Sequence, residues 1–415
     1  MKLNTLSLSI MTMGALAGAS LTAHASGYHF GTQSVSAQAT ANASAAEATD
    51  ATTLFYNPAG MTRLQGTNFS GALNLVAPSV KYNNASASYP TQPYAAQPLP
   101  NGVTVPAGLN RSSAVSGSSS GKLTDDLLAV PHMYLTHQLN DRVTVGVGVY
   151  VPFASSTEYQ RDSVLRYNVN QTSLTTIDIN PTVAFKLNDQ HSLAIGLIAQ
   201  HADASLRQYA NFGGSANPAL NSLIPGVGGG HGNSDGYADV EGKDWGFGFN
   251  LGWMWEIDPT ARVGVSYRSV IKHSLKGTAD WTTPATLAGQ AAASRGYIDS
   301  DARVDIKTPE SLSVHGFKQL DSKWAVMGDV DQLQPTQVRA VQRQQLCRPD
   351  HEQNHPGAGL ERQLESRHRR HVSVQRAAAT ALWRGLRPIA GAGRRTPSVH
   401  HAGQRSHLAV VWRQV

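Results

Sequence analysis

Cysteine is all but missing from this chain. The single one, Cys347, stands far along it, so no disulfide framework can hold the preceding residues. Charge is scarce, with Asp, Glu, Lys and Arg making up 15% of the residues, against about 25% in an ordinary soluble domain. Beyond the first two dozen residues no apolar run reaches the ~18 residues of a membrane-crossing helix, which excludes a helical span. A phosphate loop is excluded too. Gly228-Gly229-Gly230-His231 lacks the lysine and spacing, and is an ordinary loop run. The tail histidines are dense enough for a metal, but no strand or helix frames them, and no serine is marked by a nucleophile motif. Neither an enzyme, nor a metal, nor a cofactor is expected.

A second absence divides the chain. Lys, Tyr and Phe all vanish after Val330, where Arg, His and Gln take over. Of the 34 bases and 28 acids, 14 and 5 fall within residues 331–415, leaving that tail at +9 and residues 1–330 at −3. The basic balance therefore belongs to the tail, and the body carries no electrostatic argument for nucleic acid. Abrupt loss of pattern, a skewed composition and a first cysteine are what a shifted reading frame produces. The competing reading is a genuine basic extension that binds lipopolysaccharide or nucleic acid. Residues 331–415 are expected to be irregular, with no transmembrane strands.

What is present begins with a leader. Lys2 supplies a positive start, Leu6 to Leu21 an apolar stretch, and Ala23-His24-Ala25 a small-residue cleavage site. Residues 1–25 are read as a signal peptide, with the mature chain starting at Ser26. Residues 26–66 follow, rich in Ala, Ser and Thr and without alternation. They read as short helical pieces that suit a plug.

From residue 67 to 330 the chain alternates. Trp245, Phe247, Phe249, Leu251, Trp253 and Trp255 share one parity, and Gly246, Gly248, Asn250, Gly252 and Met254 the other. Side chains alternate across a strand, so the bulky apolar groups project from one face. Val143, Val145, Val147, Val149 and Val151 repeat the pattern. Ile177 and Ile179 oppose Asp178 and Asn180, and Val263, Val265 and Tyr267 oppose Arg262, Gly264, Ser266 and Arg268. Charges on the small-residue face are costly in a dry core and tolerable in a wet lumen. The apolar face therefore points to lipid, as in a membrane barrel. Tight turns at Leu139–Arg142, Leu187–Gln190, Ile257–Thr260 and Leu320–Lys323 alternate with long stretches at Tyr82–Thr124, Asn211–Gly242 and Thr282–Asp301. Short periplasmic turns and long outer loops are the habit of outer-membrane barrels, and about nine strands are legible.

Leu54-Phe55-Tyr56-Asn57-Pro58-Ala59-Gly60-Met61 closes the plug segment. Glu158-Tyr159, Arg166-Tyr167, Leu174–Lys186, Lys307–Gln319 and Asp321–Val330 follow in order. These blocks resemble the FadL family of outer-membrane transporters of long-chain fatty acids and hydrocarbons, over about residues 27–330. The resemblance implies an all-β protein: a transmembrane antiparallel barrel of fourteen strands, with an N-terminal hatch of short helices filling the lumen. It implies capture of an apolar ligand by loops, hatch rearrangement and lateral release through a gap beside the third strand. Asn57, Pro58 and Ala59 become the hatch motif. Pro152, which interrupts the third strand and has no N–H to give a ladder, becomes the candidate opening, or simply the end of the strand at the rim. Arg207 lies where the family places a base for the ligand carboxylate. It shares the parity of Leu193, Ile195 and Leu197, so only a bulge would turn it inward; otherwise it sits above the bilayer. The expected partners are a long-chain fatty acid or other apolar small molecule, outer-membrane lipid and the barrel assembly machinery, with the protein as a monomer. The alternatives are a channel for aromatic hydrocarbons of the same architecture, and a structural or adhesive outer-membrane protein.

Overall fold

A computed structural model describes residues 29–99, 102–124, 127–322, 324–333, 338–340 and 406–413, all in one compact unit. The expected signal peptide and most of the basic tail lie outside the described residues.

The body is one antiparallel sheet. Its wall strands are β1 (Thr67–Val76), β2 (Leu128–Asn140), β3 (Val143–Tyr150), β4 (Ala154–Glu158), β5 (Gln171–Lys186), β6 (His191–Asn211), β7 (Asp235–Asp258), β8 (Ala261–Arg268), β9 (Ile271–Thr282), β10 (Ser300–Thr308), β11 (Ser311–Gln319) and β12 (Trp324–Leu333). Each pairs with the next along the wall. β4 continues β3 after a break, β9 continues β8, and β10 runs on into β11. Among the described residues these twelve strands fill nine wall positions, the number the alternation predicts before the tail.

The two faces are those of the sequence pattern. Leu197 is 66% exposed and Phe247 75%, while Asp178 and Asn180 on the opposite parity are fully buried. A sheet whose large apolar groups lie outside and whose polar groups lie inside has lipid as its outer solvent.

The strands run further outward than hydrophobicity suggests. β7 begins at Asp235, inside the stretch read as loop, and pairs with β6 without interruption to Asn211. Beyond the bilayer both faces meet water, so apolar alternation stops while the backbone ladder continues. The first long stretch is likewise ordered. Val80–Tyr82, Ser88–Tyr89, Gln92–Tyr94 and Gln97–Pro98 pair in turn with Gly121–Thr124, Ser113–Ala114, Gly108–Asn110 and Thr104–Val105.

Beyond β12, two short segments of the tail are among the described residues, and both are strands. β13 (Val338–Ala340) pairs with β10, and β14 (Ser406–Arg413) pairs with β12. An edge strand presents a row of unpaired N–H and C=O groups.

Candidate functional site

The inner face is occupied by the N-terminal segment. Helix α1 (Val35–Ala39) is capped by Ser34 Oγ, which accepts from Ala37 N at 3.0 Å. Helix α2 (Thr53–Tyr56) leads into a 3₁₀ helix, Pro58–Arg63. The Asn-Pro-Ala sequence explains that turn. Asn57 Oδ1 accepts from Ala59 N at 3.0 Å, and Pro58 takes the first helical position, where no N–H is needed.

This segment touches the wall on all sides. Asn74 Nδ2 on β1 donates to Thr32 O at 2.9 Å, and Tyr134 Oη on β2 to Gln33 Oε1 at 3.0 Å. Thr62 and Ser192 on β6 bond at 2.8 Å, and Ser266 Oγ on β8 donates to Tyr56 O at 2.7 Å. Arg262 donates to Ala46 O and, at 2.9 Å, to Glu47 O, while Arg63 pairs with Glu256 at 2.7 Å. Glu47 is half-buried. Desolvation raises its pKa above the ordinary 4.5, against the opposing pull of Arg262. A segment in contact from β1 to β8 and on to β11 is one the sheet encloses.

Asn57 lies at the centre and is fully buried. Its Nδ2 donates to Trp253 O at 3.0 Å and lies 2.6 Å from His315 Nε2 on β11. His315 Nδ1 in turn lies 3.3 Å from Asp329 Oδ1 on β12. The wall makes room through glycines on its inward parity. A Cβ at Gly252 would strike Asn57 Oδ1, Ala59 N and the Pro58 ring, and one at Gly264 would strike Asn57 and His315. Gly146 and Gly148 give the same clearance to Leu54. The sequence reading took these glycines only as small lumen residues. Their signal was present in their shared parity with Asn250 and Arg262.

Above the hatch, Arg268 stands with its guanidinium 4.7 Å from the Phe55 ring. Its Nη1 lies 2.7 Å from Tyr150 Oη and 3.3 Å from Asp178 Oδ2. Gln200 Nε2 donates to Asp178 at 2.6 Å, and Gln200 Oε1 lies 2.9 Å from His273 Nε2. The sequence placed Asp178 and Arg268 inward by parity, but two strands, β6 and β7, separate them in the chain and only the curvature of the sheet joins them.

Pro152 sits at an interruption of the wall. β3 pairs with β5 as far as Tyr150↔Asp178, and β4 resumes at Ala154↔Thr175. Val151, Pro152 and Phe153 thus stand opposite Thr176 and Ile177 alone. On the other side β2 pairs with β3 no further out than Met133↔Val149, although β2 starts at Leu128. The N-terminal strap covers this place from inside. Phe30 N donates to Pro152 O at 2.8 Å, and Gln33 Nε2 to Val151 O at 3.0 Å. Phe30 stacks on His132 at 5.7 Å.

Arg207 stands elsewhere. The ladder from β5 through β6 to β7 shows no shift around it, so no bulge turns it inward and it keeps the outward parity. It pairs with Asp239 at 2.6 Å and Glu158 at 3.4 Å near the outer ends of the strands. The outer loops are tied at Arg166, which donates to Ser116 O at 2.8 Å and to Asp235 at 3.1 Å. Tyr89 stacks on His231 at 4.7 Å.

Comparison with known proteins agrees with this architecture. Residues 16–349 match the profile described as outer membrane protein transport protein (OMPP1/FadL/TodX). A protein of Neisseria meningitidis serogroup B, named for the outer membrane, is 46% identical over 338 residues, covering 79% of this chain and 68% of the relative. The long-chain fatty acid transport protein of Escherichia coli K12 is 27% identical over 239 residues, 51% of this chain and 52% of that protein. The chain thus spans about half the length of that relative. Among solved structures, a Pseudomonas aeruginosa FadL homologue shares the fold with a TM-score of 0.61 at 20% identity, covering 76% of this chain and 72% of the other.

Proposed function

The chain belongs to the outer membrane protein transport protein (OMPP1/FadL/TodX) family, and on that premise we propose that it takes up long-chain fatty acids or similar apolar compounds across the bacterial outer membrane. The family is one of outer-membrane transport β-barrels. What we add is substrate, route and residues. The observation that carries the reading is the strap His29–Gln33 lying across the wall interruption at Pro152. An apolar cargo held by the loops moves past the hatch and leaves sideways at Pro152 into lipid, so its tail never crosses water. Asn57, Pro58 and Ala59 form the rigid turn about which the hatch rearranges. The protein acts as a monomer, inserted by the barrel assembly machinery, and performs no chemistry on its cargo.

For a cargo carboxylate we place the receiving cation at Arg268, on the inner face beside Phe55, rather than at Arg207 on the outer rim. Arg268 is already neutralised by Asp178, which favours the second reading, a neutral hydrocarbon that needs no counter-charge.

A reversible cross-link tests the route. Thr32→Cys with Asn74→Cys ties the strap to β1 where Asn74 already bonds Thr32. In the frame-repaired chain, uptake of labelled oleate should stop when this bridge is oxidised and return on reduction. Uptake unaffected by oxidation would remove the strap from the path.

A further inference from the structure

Five cations share the outward face of β7, β9 and β10, all of them exposed: Lys243, Lys272, Lys276, Arg303 and Lys307. They begin where the apolar band ends. On β7 the outward residues from Trp255 to Trp245 are all large and apolar, a stretch of the ~9–11 residues a tilted strand needs to cross the hydrocarbon; Lys243 is the next. On the neighbouring wall position Val263, Val265, Tyr267 and Val270 precede Lys272. On the next, Val314 and Leu312 give way to Glu310 and then Lys307.

Register sets these cations against each other. Lys243 is opposite Lys276, and Lys276 is opposite Arg303. Lys272 is opposite Lys307. Like charges directly across a ladder are destabilising. Carboxylates stand beside the first row: Asp203 is 3.0 Å from Lys243, and Asp305, between Arg303 and Lys307 on the same parity, is 3.3 Å from Arg303. Lys272, Lys276 and Lys307 have no ion-pair partner among the described residues.

We propose that this face binds the phosphorylated glycolipid of the outer leaflet, lipopolysaccharide. Its phosphates lie between the opposed cations, and its acyl chains lie against Trp245, Phe247 and Val270. Only an amphiphile answers both features, since free phosphate leaves the adjoining apolar band unused. A phosphate accepts several charge-assisted bonds and turns mutual repulsion into attraction. The inference rests on placement in the outer membrane and not on the cargo or its route.

The test uses the purified full-length protein, with the reading frame restored beyond Val330, in detergent and fluorescent lipopolysaccharide, with no uptake measurement. The unaltered protein should bind lipopolysaccharide at least about tenfold more tightly than its dephosphorylated form, the loss expected for even one charge-assisted bond. The triple variant Lys272→Gln, Lys276→Gln, Lys307→Gln should bind both forms alike and weakly, whereas Lys318→Gln, at the short-turn end of the wall, should change nothing. Equal binding of the two lipids by the unaltered protein overturns the proposal without recourse to any variant. Competition by inorganic phosphate at the lipid's own concentration overturns the assignment to lipid.

Discussion

Asn57 Nδ2 lies 2.6 Å from His315 Nε2, and this contact fixes the proton on the imidazole. Asn57 Oδ1 is engaged by Ala59 N at 3.0 Å, so the amide nitrogen faces the ring. A donor needs an acceptor; Nε2 is therefore bare, and Nδ1 carries the hydrogen toward Asp329, 3.3 Å away. The hatch motif thus meets His315 Nε2, while His315 Nδ1 faces the Asp329 carboxylate.

Removing this contact should loosen the hatch without unfolding the wall. His315→Leu leaves a buried amide N–H short of an acceptor, at a cost of about 1–3 kcal/mol, and Asn57→Ala removes the turn's cap as well. Made in the frame-repaired chain, both variants should reach the surface at normal levels, expose Arg63 to trypsin and slow fatty acid uptake. His315→Gln, which still offers an acceptor, should be milder. Unchanged trypsin resistance and uptake in all three would show that the contact is idle.

Gly264→Ala should act in the same direction from the wall side. The added carbon collides with both Asn57 and His315, and overpacking of this kind costs about 1–3 kcal/mol. Gly328→Ala, where nothing lies within reach of a Cβ, is the control. Limited proteolysis and thermal melting of the pair should separate them.

Glu47 gives hatch docking a pH dependence. Burial raises its folded pKa above 4.5, so the docked hatch holds the proton more tightly than the released one. The contribution is full below 4.5 and is lost as pH climbs through the raised value. Hatch protection should therefore weaken as pH rises from 4.5 through the raised value, and Glu47→Gln should flatten the profile at its protected end. A profile in Glu47→Gln as steep as in the parent would assign the effect elsewhere.

Arg268 and Arg207 can be separated as cargo ligands. Arg268→Gln combined with Asp178→Asn keeps the buried pair neutral. It should weaken fatty acid binding by about tenfold or more, the worth of a charge-assisted bond of roughly 1.5–3 kcal/mol, while alkane binding stays level. Arg207→Ala should leave both affinities in place. The opposite outcome, measured by fluorescent fatty acid displacement, would return the role to the rim.

The tail can be tested at the gene. We propose that its character comes from a shifted frame. β12 runs to Leu333 and the family match to residue 349, so the shift is sought between the codons for Val330 and Asp350. Among the described residues β1 and β14 are the two edges of the sheet, and open edges are unfavourable in lipid. A single-base repair should bring the product to a heat-modifiable, protease-resistant state that the unrepaired one lacks. An unrepaired protein that already shows this state would make the basic tail authentic.

The wall was legible because one physical rule writes it. Lipid outside and water inside impose a period of two, so the parity of Trp245 to Trp255 and of Asp178 and Arg268 declares both faces before any fold is known. The rule fails where its cause ends. Outside the bilayer both sides are wet, and the outer reach of β7 and the paired strands of residues 80–124 carry no apolar signature.

The candidate site divides in the same way. Asn57-Pro58-Ala59 was readable as a rigid turn because a cap and a proline act locally, and Pro152 as an interruption because a missing N–H is local too. Which groups they meet was not. His315 and Asp329 stand more than 250 residues from Asn57 in the chain, and the strap reaches Pro152 only because the sheet surrounds it. Whether Arg207 faced in or out hung on a single unshifted ladder. The sequence by itself determined the faces and the local turns, since these depend on neighbours one to four residues away. The tertiary structure alone decided which inward residues share a contact, because that depends on how far the sheet turns before its strands meet across the lumen.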